Sequence, residues 1–572
     1  MLFIKLSLVA YASVAVASPG LGFMSSLNQQ PLANDPEPTD FKCALPPVIK
    51  PSSDGLASAD ELFSSDEALK TQVQRHAAIV QVPSICYDDL GDFIKDTRWL
   101  PFYKLHNVLA ETFPNVYARM TVEKVNTFGL VYTIEGSDSS LKPLLLTAHQ
   151  DVVPVADAST WTHPPFSAYF DGKWLWGRGS SDDKNSLTAL MSALETILSN
   201  VNWTPKRTII LAFGFDEECS GSRGAGFIAK HLEAKYGNDG IAMILDEGGM
   251  GLQLLGNDTL YALPAVMEKG HVDIWFELHV QGGHSSIPFP HTGIGIISEI
   301  VMALEGHPYK AQLREGSPIY NHFVCQARYS PDAQPRITKL LQKGDLAALT
   351  EELISLDLST HFRLQTSQSV DTIEGGQKIN AMPEVVKLGV NYRVAPQNSI
   401  PEIQHNVVKY IRKIAKKFNL TVKAFEGDAE YEAFAATQTI TGTYDEDSED
   451  DSIQPLYEVD YNGTIVLSAS QKTHVSPTSP SSGPIWDVFS GTIQHSFAFD
   501  GGVVVPVGEL MTGNTDTRHY LDLSQHIYRW TPVRSDSRSN IHTIDERINM
   551  NAHIEVLKFY YDLIRNFDAA DV

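Results

Sequence analysis

The sequence contains little cysteine and little positive charge, and each shortage excludes a class of protein. Only 4 cysteines occur among 572 residues, without a C-x-x-C motif, which excludes a disulfide-built miniprotein and a cysteine-rich zinc fold. Lys and Arg total 44 against 69 Asp and Glu, so the net charge is −25. This excess of negative charge opposes binding to nucleic acid or anionic membranes, and we expect neither as a partner. The cysteines can form at most two disulfides, in any of three pairings, and are Cys43, Cys86, Cys219 and Cys325.

Long apolar runs are also missing, except at the N-terminus. There, Lys5 precedes an apolar stretch that ends in Ala15-Val16-Ala17, which predicts a secretory signal peptide over residues 1–17. An uncleaved signal anchor is the alternative, but the run is short for a membrane span. We therefore expect no stable membrane span in the mature chain.

The compartment predicted by this signal is the secretory pathway, ending in a vacuole-like or lysosome-like lumen or outside the cell. Residues 18–60 are rich in Pro, Ser and Asn and predict an unpacked leader. Beside a signal peptide, N-x-S/T sequons are candidate glycan acceptors. They occur at Asn202, Asn257, Asn419 and Asn462.

The segments that follow alternate between strand-like and helix-like patterns. Short apolar runs at 143–148, 207–215 and 241–245 predict strands buried on both faces. Leucines at helical spacing over 184–198 predict a helix between the first two runs. Strands separated by helices indicate an α/β domain with a mainly parallel sheet.

The pattern changes near residue 265, which predicts a second, inserted α+β domain. Residues 271–280 alternate apolar and polar side chains, as in a strand with one wet face. Further strands are predicted at 385–394 and 420–425, with helices at 295–304 and 402–418; we interpret the lysines of the latter helix as a solvated face.

The sequence predicts three parts after the leader. A first catalytic part covers 61–264, and an inserted domain covers 265–427, with an extra segment at 306–368. A second catalytic part covers 428–572, with an acidic loop at 445–451 and a long helix at 545–566.

Chemically active side chains follow the three apolar runs. His149 and Asp151 follow the first, two residues apart and so on one face of an extended chain. Glu217 and Glu218 follow the second run, and Asp246 follows the third. Because open α/β sheets bind ligands at the carboxyl ends of their strands, we expect these side chains to share one site. Mixed histidine and carboxylate ligands suit zinc, with cobalt or manganese as substitutes.

Taken together, these motifs resemble the M20 family of dinuclear zinc peptidases. Longer stretches are similar to its carboxypeptidase S-like branch, which includes Gly-X carboxypeptidases and N-acyl amino acid hydrolases. The resemblance implies a zinc-peptidase catalytic domain with an inserted, ferredoxin-like lid or dimerisation domain. The stretches are WTHPPFSAYFDGKWLWGRGSSDDK (161–184), GGHSSIP (282–288), GGQKINAMPE (375–384), NYRVAP (391–396) and GNTDTRHY (513–520).

The resemblance also implies a metal-ligand set. His149 and Asp246 would hold one zinc ion, and Glu218 and His542 would hold the second. Asp182 would bridge the two ions. Without the family pattern, His542 would be interpreted as an exposed or structural histidine.

Other residues match the family's catalytic and substrate-binding positions. Glu217 would be the general acid/base that serves a metal-bridging water, and Asp151 would orient His149. His284 on the inserted domain would stabilise the oxyanion, from the same chain or across a homodimer interface. Asn380 and Arg393 would bind a substrate carboxylate, to which a guanidinium is well suited.

The function predicted by the sequence is a zinc carboxypeptidase acting on small peptides of the Gly-X type. An N-acyl amino acid hydrolase or synthase is the alternative, because it needs the same metals and the same carboxylate-binding residues. Two remoter alternatives are a non-catalytic binding protein on this scaffold and an extracellular structural protein. The latter explains the signal and the sequons but not the clustered acids and histidines.

Overall fold

A computed structural model describes residues 41–51, 54–438 and 460–572. In these ranges the chain forms a large β-sheet and a second sheet inserted after it, each covered by helices. The predicted signal peptide, most of the predicted leader and the acidic loop at 445–451 lie outside the described residues. None of the described helices is long and apolar enough to cross a bilayer.

The strands are numbered in chain order. They are β1 (Thr121–Val125), β2 (Gly129–Ile134), β3 (Leu144–His149), β4 (Tyr169–Phe170), β5 (Trp174–Trp176), β6 (Ile209–Gly214), β7 (Met243–Asp246), β8 (Leu252–Leu255), β9 (Thr259–Ala262), β10 (Ala265–Glu268), β11 (Gly270–His279), β12 (Gly283–His284), β13 (Ser367–Gly375), β14 (Ala381–Met382), β15 (Val385–Val394), β16 (Thr421–Ala424), β17 (Thr464–Thr473), β18 (Val503–Pro506), β19 (Glu509–Met511), β20 (Ile527–Arg529), β21 (Arg538–Ser539) and β22 (Arg547–Asn549).

The α-helices are numbered in the same way. They are α1 (Ala59–Phe63), α2 (Asp66–Val80), α3 (Leu100–Thr112), α4 (Pro114–Arg119), α5 (Lys184–Ser199), α6 (Ala225–Tyr236), α7 (Gly293–Glu305), α8 (Pro318–Tyr329), α9 (Pro335–Lys343), α10 (Leu346–Ile354), α11 (Leu358–Leu364), α12 (Ile400–Lys417), α13 (Ala429–Thr437), α14 (Pro484–Ser496) and α15 (Met550–Ala569).

The large sheet has the strand order β1-β2-β6-β3-β7-β20-β10-β19, and its central strands β6, β3, β7 and β20 are parallel. Alternate residues of β3 enter two different cores. Leu144 and Leu146 pack with α5 and α15, whereas Leu145 packs with α6. Both faces of the strand are therefore buried, which explains its unbroken apolar run and confirms the predicted α/β fold with a mainly parallel sheet.

The second sheet has the order β13-β15-β11-β17-β16 and is covered on one face by α7 and α12. Buried and exposed residues alternate along β11, as the sequence pattern predicts for a half-buried strand. The chain returns to this sheet at β17, where Ile465 and Leu467 are buried in its core. The sheet of the inserted domain therefore includes a strand beyond residue 427, the boundary predicted from the sequence.

The segment predicted at 306–368 forms helices α8–α11, which pack around their own small core. Two disulfides fix connections that the sequence left open. Cys43 pairs with Cys325, which ties the N-terminal segment to α8, and Cys86 pairs with Cys219, next to the Glu217–Glu218 pair. Among the described residues no cysteine is free.

Candidate metal centre

His149 lies at the carboxyl end of β3 and is almost fully buried. Its Nδ1 lies 3.0 Å from the main-chain oxygen of Asp151 and 3.3 Å from the Asp151 carboxylate. A proton on Nδ1 satisfies these acceptors and leaves Nε2 free to bind a metal ion. Nε2 lies 3.1 Å from Asp182 Oδ1 and 3.3 Å from Glu247 Oε1.

Asp151 does more than contact His149. Its two carboxylate oxygens accept hydrogen bonds from the main-chain N–H groups of Glu217 and Glu218, at 3.2 and 3.1 Å. These glutamates begin a short 3₁₀ turn shortly after β6, and the disulfide between Cys86 and Cys219 fixes the end of this turn. Asp151 therefore connects the end of β3 to the turn that carries both glutamates.

Asp182 lies between two histidines. Its Oδ1 faces His149 Nε2, and its Oδ2 lies 3.1 Å from His542 Nε2. His542 Nε2 also lies 3.1 Å from Glu218 Oε1. Hydrogen bonds with Asp182 and Glu218 raise the pKa of His542 to about 10. Burial opposes ionisation of Asp182, but the contacts with both histidines outweigh it and lower the pKa of this carboxyl.

The fourth carboxylate that faces the cluster is Glu247, beside the predicted ligand Asp246. Glu247, and not Asp246, faces His149, whereas one Asp246 oxygen accepts the N–H of Glu247 and the other is buried without a partner. The cause is strand register. Leu146 pairs with Leu245, so Asp246 lies beside Thr147, while the longer Glu247 side chain extends past the strand end toward His149. Burial raises the pKa of Glu247 to about 8.

The donor set fits two metal ions. Two imidazole nitrogens each face two carboxylates, and Asp182 offers one oxygen to each imidazole. Such a set matches zinc chemistry, with one carboxylate able to bridge two ions. Asp183, which the sequence analysis did not select, completes a second group with His149 and Glu247, and both its oxygens are buried without a hydrogen-bond partner.

Glu217 lies beside this cluster. Burial raises its pKa well above the usual range, and repulsion by Glu218 and Glu247 adds to the effect, although His149 opposes it. A carboxyl group with this environment holds a proton more readily than an exposed glutamate does. A carboxyl group of this kind is suited to accept and return a proton.

The residues predicted to bind substrate are divided between two places. Arg393, near the end of β15, donates from Nη1 to Asn514 Oδ1 at 3.0 Å, and Asn514 donates to the main-chain oxygen of Lys269. Burial lowers the Arg393 pKa, and Glu217 is among the acids that oppose this change. By contrast, His284 and Asn380 are exposed on the small ribbon formed by β12 and β14.

Within this ribbon, the contacts of the two residues are local. His284 Nδ1 accepts the N–H of Ser286 at 3.1 Å, and the main-chain oxygen of Asn380 accepts the N–H of Ser285 at 3.2 Å. The structure thus brings together the residues predicted to bind metal and to transfer the proton, and it leaves His284 and Asn380 open to solvent on the inserted domain.

Comparison with known proteins identifies the family. The profile of the peptidase family M20/M25/M40 matches residues 145–566, a range that includes every residue of the cluster. The chain belongs to this family. The resemblance stated from the motifs is thereby confirmed, and this M20 protein is a hydrolytic metallopeptidase. Membership disfavours the alternatives of a non-catalytic binding protein and an extracellular structural protein.

Similar sequences cover nearly the whole of this M20 chain. It is 37% identical over 545 residues to an uncharacterised carboxypeptidase of Schizosaccharomyces pombe, covering 93% of this chain and 86% of that one. It is 35% identical over 542 residues to carboxypeptidase S of Saccharomyces cerevisiae, covering 91% and 88%. An N-fatty-acyl-amino acid synthase/hydrolase of Bos taurus is 28% identical over 517 residues, covering 89% of each chain.

Solved structures agree on the fold of the M20 chain. The dipeptidase Dug1p of Saccharomyces cerevisiae superposes with a TM-score of 0.61 at 13% identity, covering 90% of this chain and 99% of that one. At this identity the match supports the architecture alone. It agrees with a catalytic domain that carries an inserted second domain, as expected from the sequence.

Proposed function

We propose that this metallocarboxypeptidase removes the C-terminal residue of small peptides, with Gly-X dipeptides as its preferred substrates. The observation that carries the proposal is the position of Asp182 between His149 and His542, with Glu217 beside them. This arrangement supplies metal ligands and a proton-transfer group in one place. Peptide hydrolysis needs both.

Two zinc ions would be held by the residues of this cluster, with cobalt or manganese as substitutes. As the resemblance implies, His149 and Asp246 would hold the first ion, Glu218 and His542 the second, and Asp182 both. Asp246 has one buried oxygen without a hydrogen-bond partner, which supports this role, and Glu247, 3.3 Å from His149, is a further candidate ligand of the first ion. When bound, such ions polarise the scissile carbonyl and lower the pKa of a water molecule toward about 7.

Glu217 then moves the proton. Its carboxylate accepts a proton from the attacking water and later delivers it to the nitrogen of the leaving amino acid. Asp151 supports this role, because it binds the main-chain N–H of Glu217 and orients the ring of His149.

The substrate's free carboxylate would bind to Arg393. Its guanidinium is partly buried and fixed by Asn514, which leaves further N–H groups for a carboxylate. Asn380 would add an amide contact and His284 a hydrogen bond to the oxyanion, both from the inserted domain. Closure of that domain over the sheet edge would bring these two residues to the substrate.

A second candidate is hydrolysis of N-acyl amino acids, and one feature of the ribbon favours it. Ile287 and Ile379 are 80% and 99% exposed, and they lie beside His284 and Asn380. Apolar side chains so open to water can cover an acyl chain. The similarity to an N-fatty-acyl-amino acid synthase/hydrolase points the same way.

Two substrates that release the same product separate these candidates. Glycyl-leucine and N-oleoyl-leucine both yield leucine, so one assay of free leucine measures both rates. The proposal expects the higher kcat/KM with glycyl-leucine. Glycyl-leucinamide, which lacks the carboxylate, is the control: its cleavage is followed by the release of glycine and should be slow. Faster release from N-oleoyl-leucine would instead establish the acyl hydrolase.

For the cellular compartment we propose the secretory pathway, with delivery to a vacuole-like lumen or to the medium. All four sequon asparagines are exposed, and both cysteine pairs form disulfides, which persist in oxidising compartments. Treatment of protein from its native source with an endoglycosidase should increase its gel mobility. Cell fractionation would then distinguish the lumen from the medium, and unchanged mobility with reduced cysteines would contradict the proposal.

A homodimer through the inserted domain is the proposed assembly. The edge strand β13 is exposed along most of its length, as a strand available for pairing would be. Light scattering during gel filtration tests this directly. A monomeric mass at micromolar concentration would place His284 in the same chain as the Glu217 it serves.

A further inference from the structure

Glu546 is a buried acid to which the reaction described above assigns no role. It is 1% exposed, and its carboxylate accepts four hydrogen bonds from the loop that ends in Asp182. Oε2 accepts Arg178 Nη1 at 2.7 Å and the N–H of Gly179 at 3.0 Å. Oε1 accepts the N–H groups of Ser181 and Asp182, at 2.9 and 3.2 Å.

Main-chain contacts strengthen the same connection. Strand β22, which begins directly after Glu546, pairs with β5, which leads into the Asp182 loop. The main-chain oxygen of Glu546 also accepts the N–H of Gly177 at 2.9 Å. The two loops that carry Asp182 and His542 therefore leave the same strand pair, and the Glu546 side chain crosses between them.

The segment before Glu546 needs such support. His542, Asn540 and Asp545 all have positive φ values near 60°, a left-handed conformation that few residues other than glycine adopt, although Asn, Asp and His adopt it more readily than most. Asp545 accepts hydrogen bonds from the N–H and the hydroxyl of Thr162, at 2.7 and 2.6 Å. The irregular His542 loop is thus fixed by contacts at its carboxyl end, where Glu546 follows.

We propose that Glu546 is a positioning residue that fixes Asp182 relative to His542 and so sets the affinity of the ion these two residues share. The inference rests on the proposed metal centre. Hydrogen bonds to a charged acceptor are stronger than neutral ones, so one carboxylate can hold a whole loop. Arg178 neutralises the buried charge of the Glu546 carboxylate, and its guanidinium also lies over the Trp161 ring at 5.2 Å.

The competing explanation is that Glu546 only stabilises the fold, and the chain offers a matched control for it. Glu195 is also buried, and its carboxylate accepts hydrogen bonds from the N–H groups of Asn115 and Val116 and from the Asn115 amide. It fixes the start of α4 and contacts none of the cluster residues named above. Glu195→Gln should therefore lower stability without changing metal binding.

The test compares Glu546→Gln and Glu195→Gln with the wild type as full-length, metal-free proteins. Each is titrated with Co²⁺, followed by its visible absorption, and the affinity of each ion is measured by chelator competition. Loss of a ligand-orienting residue typically weakens metal binding about 10–100-fold. We expect Glu546→Gln to bind one of its two ions that much more weakly, with a changed spectrum for that ion, and Glu195→Gln to bind both normally.

Glu546→Asp completes the test, because it keeps the charge but shortens the side chain. We expect an intermediate affinity for the same ion, and this variant decides the question if Glu546→Gln does not fold. Wild-type affinities in the Glu546 variants would overturn the inference, as would an equal loss in Glu195→Gln. A wild type that binds no ion would instead overturn the proposed metal centre itself.

Discussion

The two halves of the proposed active site are built in different ways. At the edge of the large sheet, His149, Asp151 and Asp182 are buried or nearly so, and each contacts at least two other residues of the cluster. On the inserted domain, His284 and Asn380 are exposed, and their hydrogen bonds stay within their own ribbon.

This difference distinguishes side chains that the fold already holds in position from side chains that must be brought into position when substrate binds. Preorganised acids and histidines hold their geometry because the sheet and its loops fix them. An exposed side chain on a two-residue strand has no such support. We therefore infer that the sheet-edge half determines metal binding and proton transfer, and that the inserted domain contributes only when substrate is bound.

The largest expected effect is on proton transfer at the sheet edge. Glu217→Gln should lower kcat by about 10²–10⁴-fold, since general acid–base catalysis contributes that much. Metal content should not change, because the proposed ligands remain. The control is Glu218→Gln, which should lose metal together with activity because Glu218 faces His542. Turnover of Glu217→Gln near the wild-type rate would show that another group carries the proton.

A smaller loss of rate is expected on the inserted domain. His284→Ala should lower kcat by about 10²–10³-fold, as removal of one oxyanion donor does in other hydrolases. The melting temperature and metal content should stay as in the wild type, because His284 is exposed. His279→Ala on β11, another partly exposed histidine of this domain, should leave kcat unchanged. A loss of metal in His284→Ala would contradict the inference that the sheet-edge half alone determines metal binding.

The same contrast explains how much the sequence could predict. Periodicity located the buried strands β3, β6 and β7, because a strand covered on both faces has an unbroken apolar run. Ligands at the ends of these strands follow from sheet geometry, so His149 and the Glu217–Glu218 pair could be found. Asp182 and His542 lie on loops, and only the family's motifs selected them.

Features that depend on strand register or on long-range contacts could not be predicted from the sequence. The approach of Glu247 to His149, beside the predicted ligand Asp246, depends on the pairing of Leu245 with Leu146 on β3. The return of the chain to the inserted sheet at β17 comes after the acidic stretch, where no motif signals it. Disulfide pairing and the contacts of Glu546 join residues far apart in sequence, and local patterns do not report such pairs.

Substrate binding offers a third test, with an effect mainly on KM. Arg393→Met should raise KM for glycyl-leucine about 10–100-fold, since a hydrogen bond to a charged group contributes about 1.5–3 kcal/mol. Glycyl-leucinamide has no carboxylate, so its slow hydrolysis should change little. Arg393→Lys should recover part of the affinity, because it keeps the charge but not the paired N–H groups. Equal losses with both substrates would show that Arg393 supports the fold and not the carboxylate.

The smallest expected effect is a pH dependence of stability that appears only when metal is removed. The pKa of Glu247 is raised to about 8 and that of His542 to about 10, so both groups stabilise the metal-free fold at low pH and lose this contribution as pH rises. The lowered pKa of Asp182 acts only in strong acid. Between about pH 6.5 and 9, the melting temperature of the metal-free protein should therefore fall by a few degrees relative to the loaded form.

Buried Lys184 and Lys269, whose pKa values burial lowers to about 7, add an opposite slope to the pH dependence of both forms. The difference between the two melting curves therefore isolates the contribution of the cluster. Parallel melting curves for the two forms would contradict this prediction. They would show that the acids and histidines at the sheet edge titrate in the same way with and without metal, and that the fold alone determines the geometry of this half of the site.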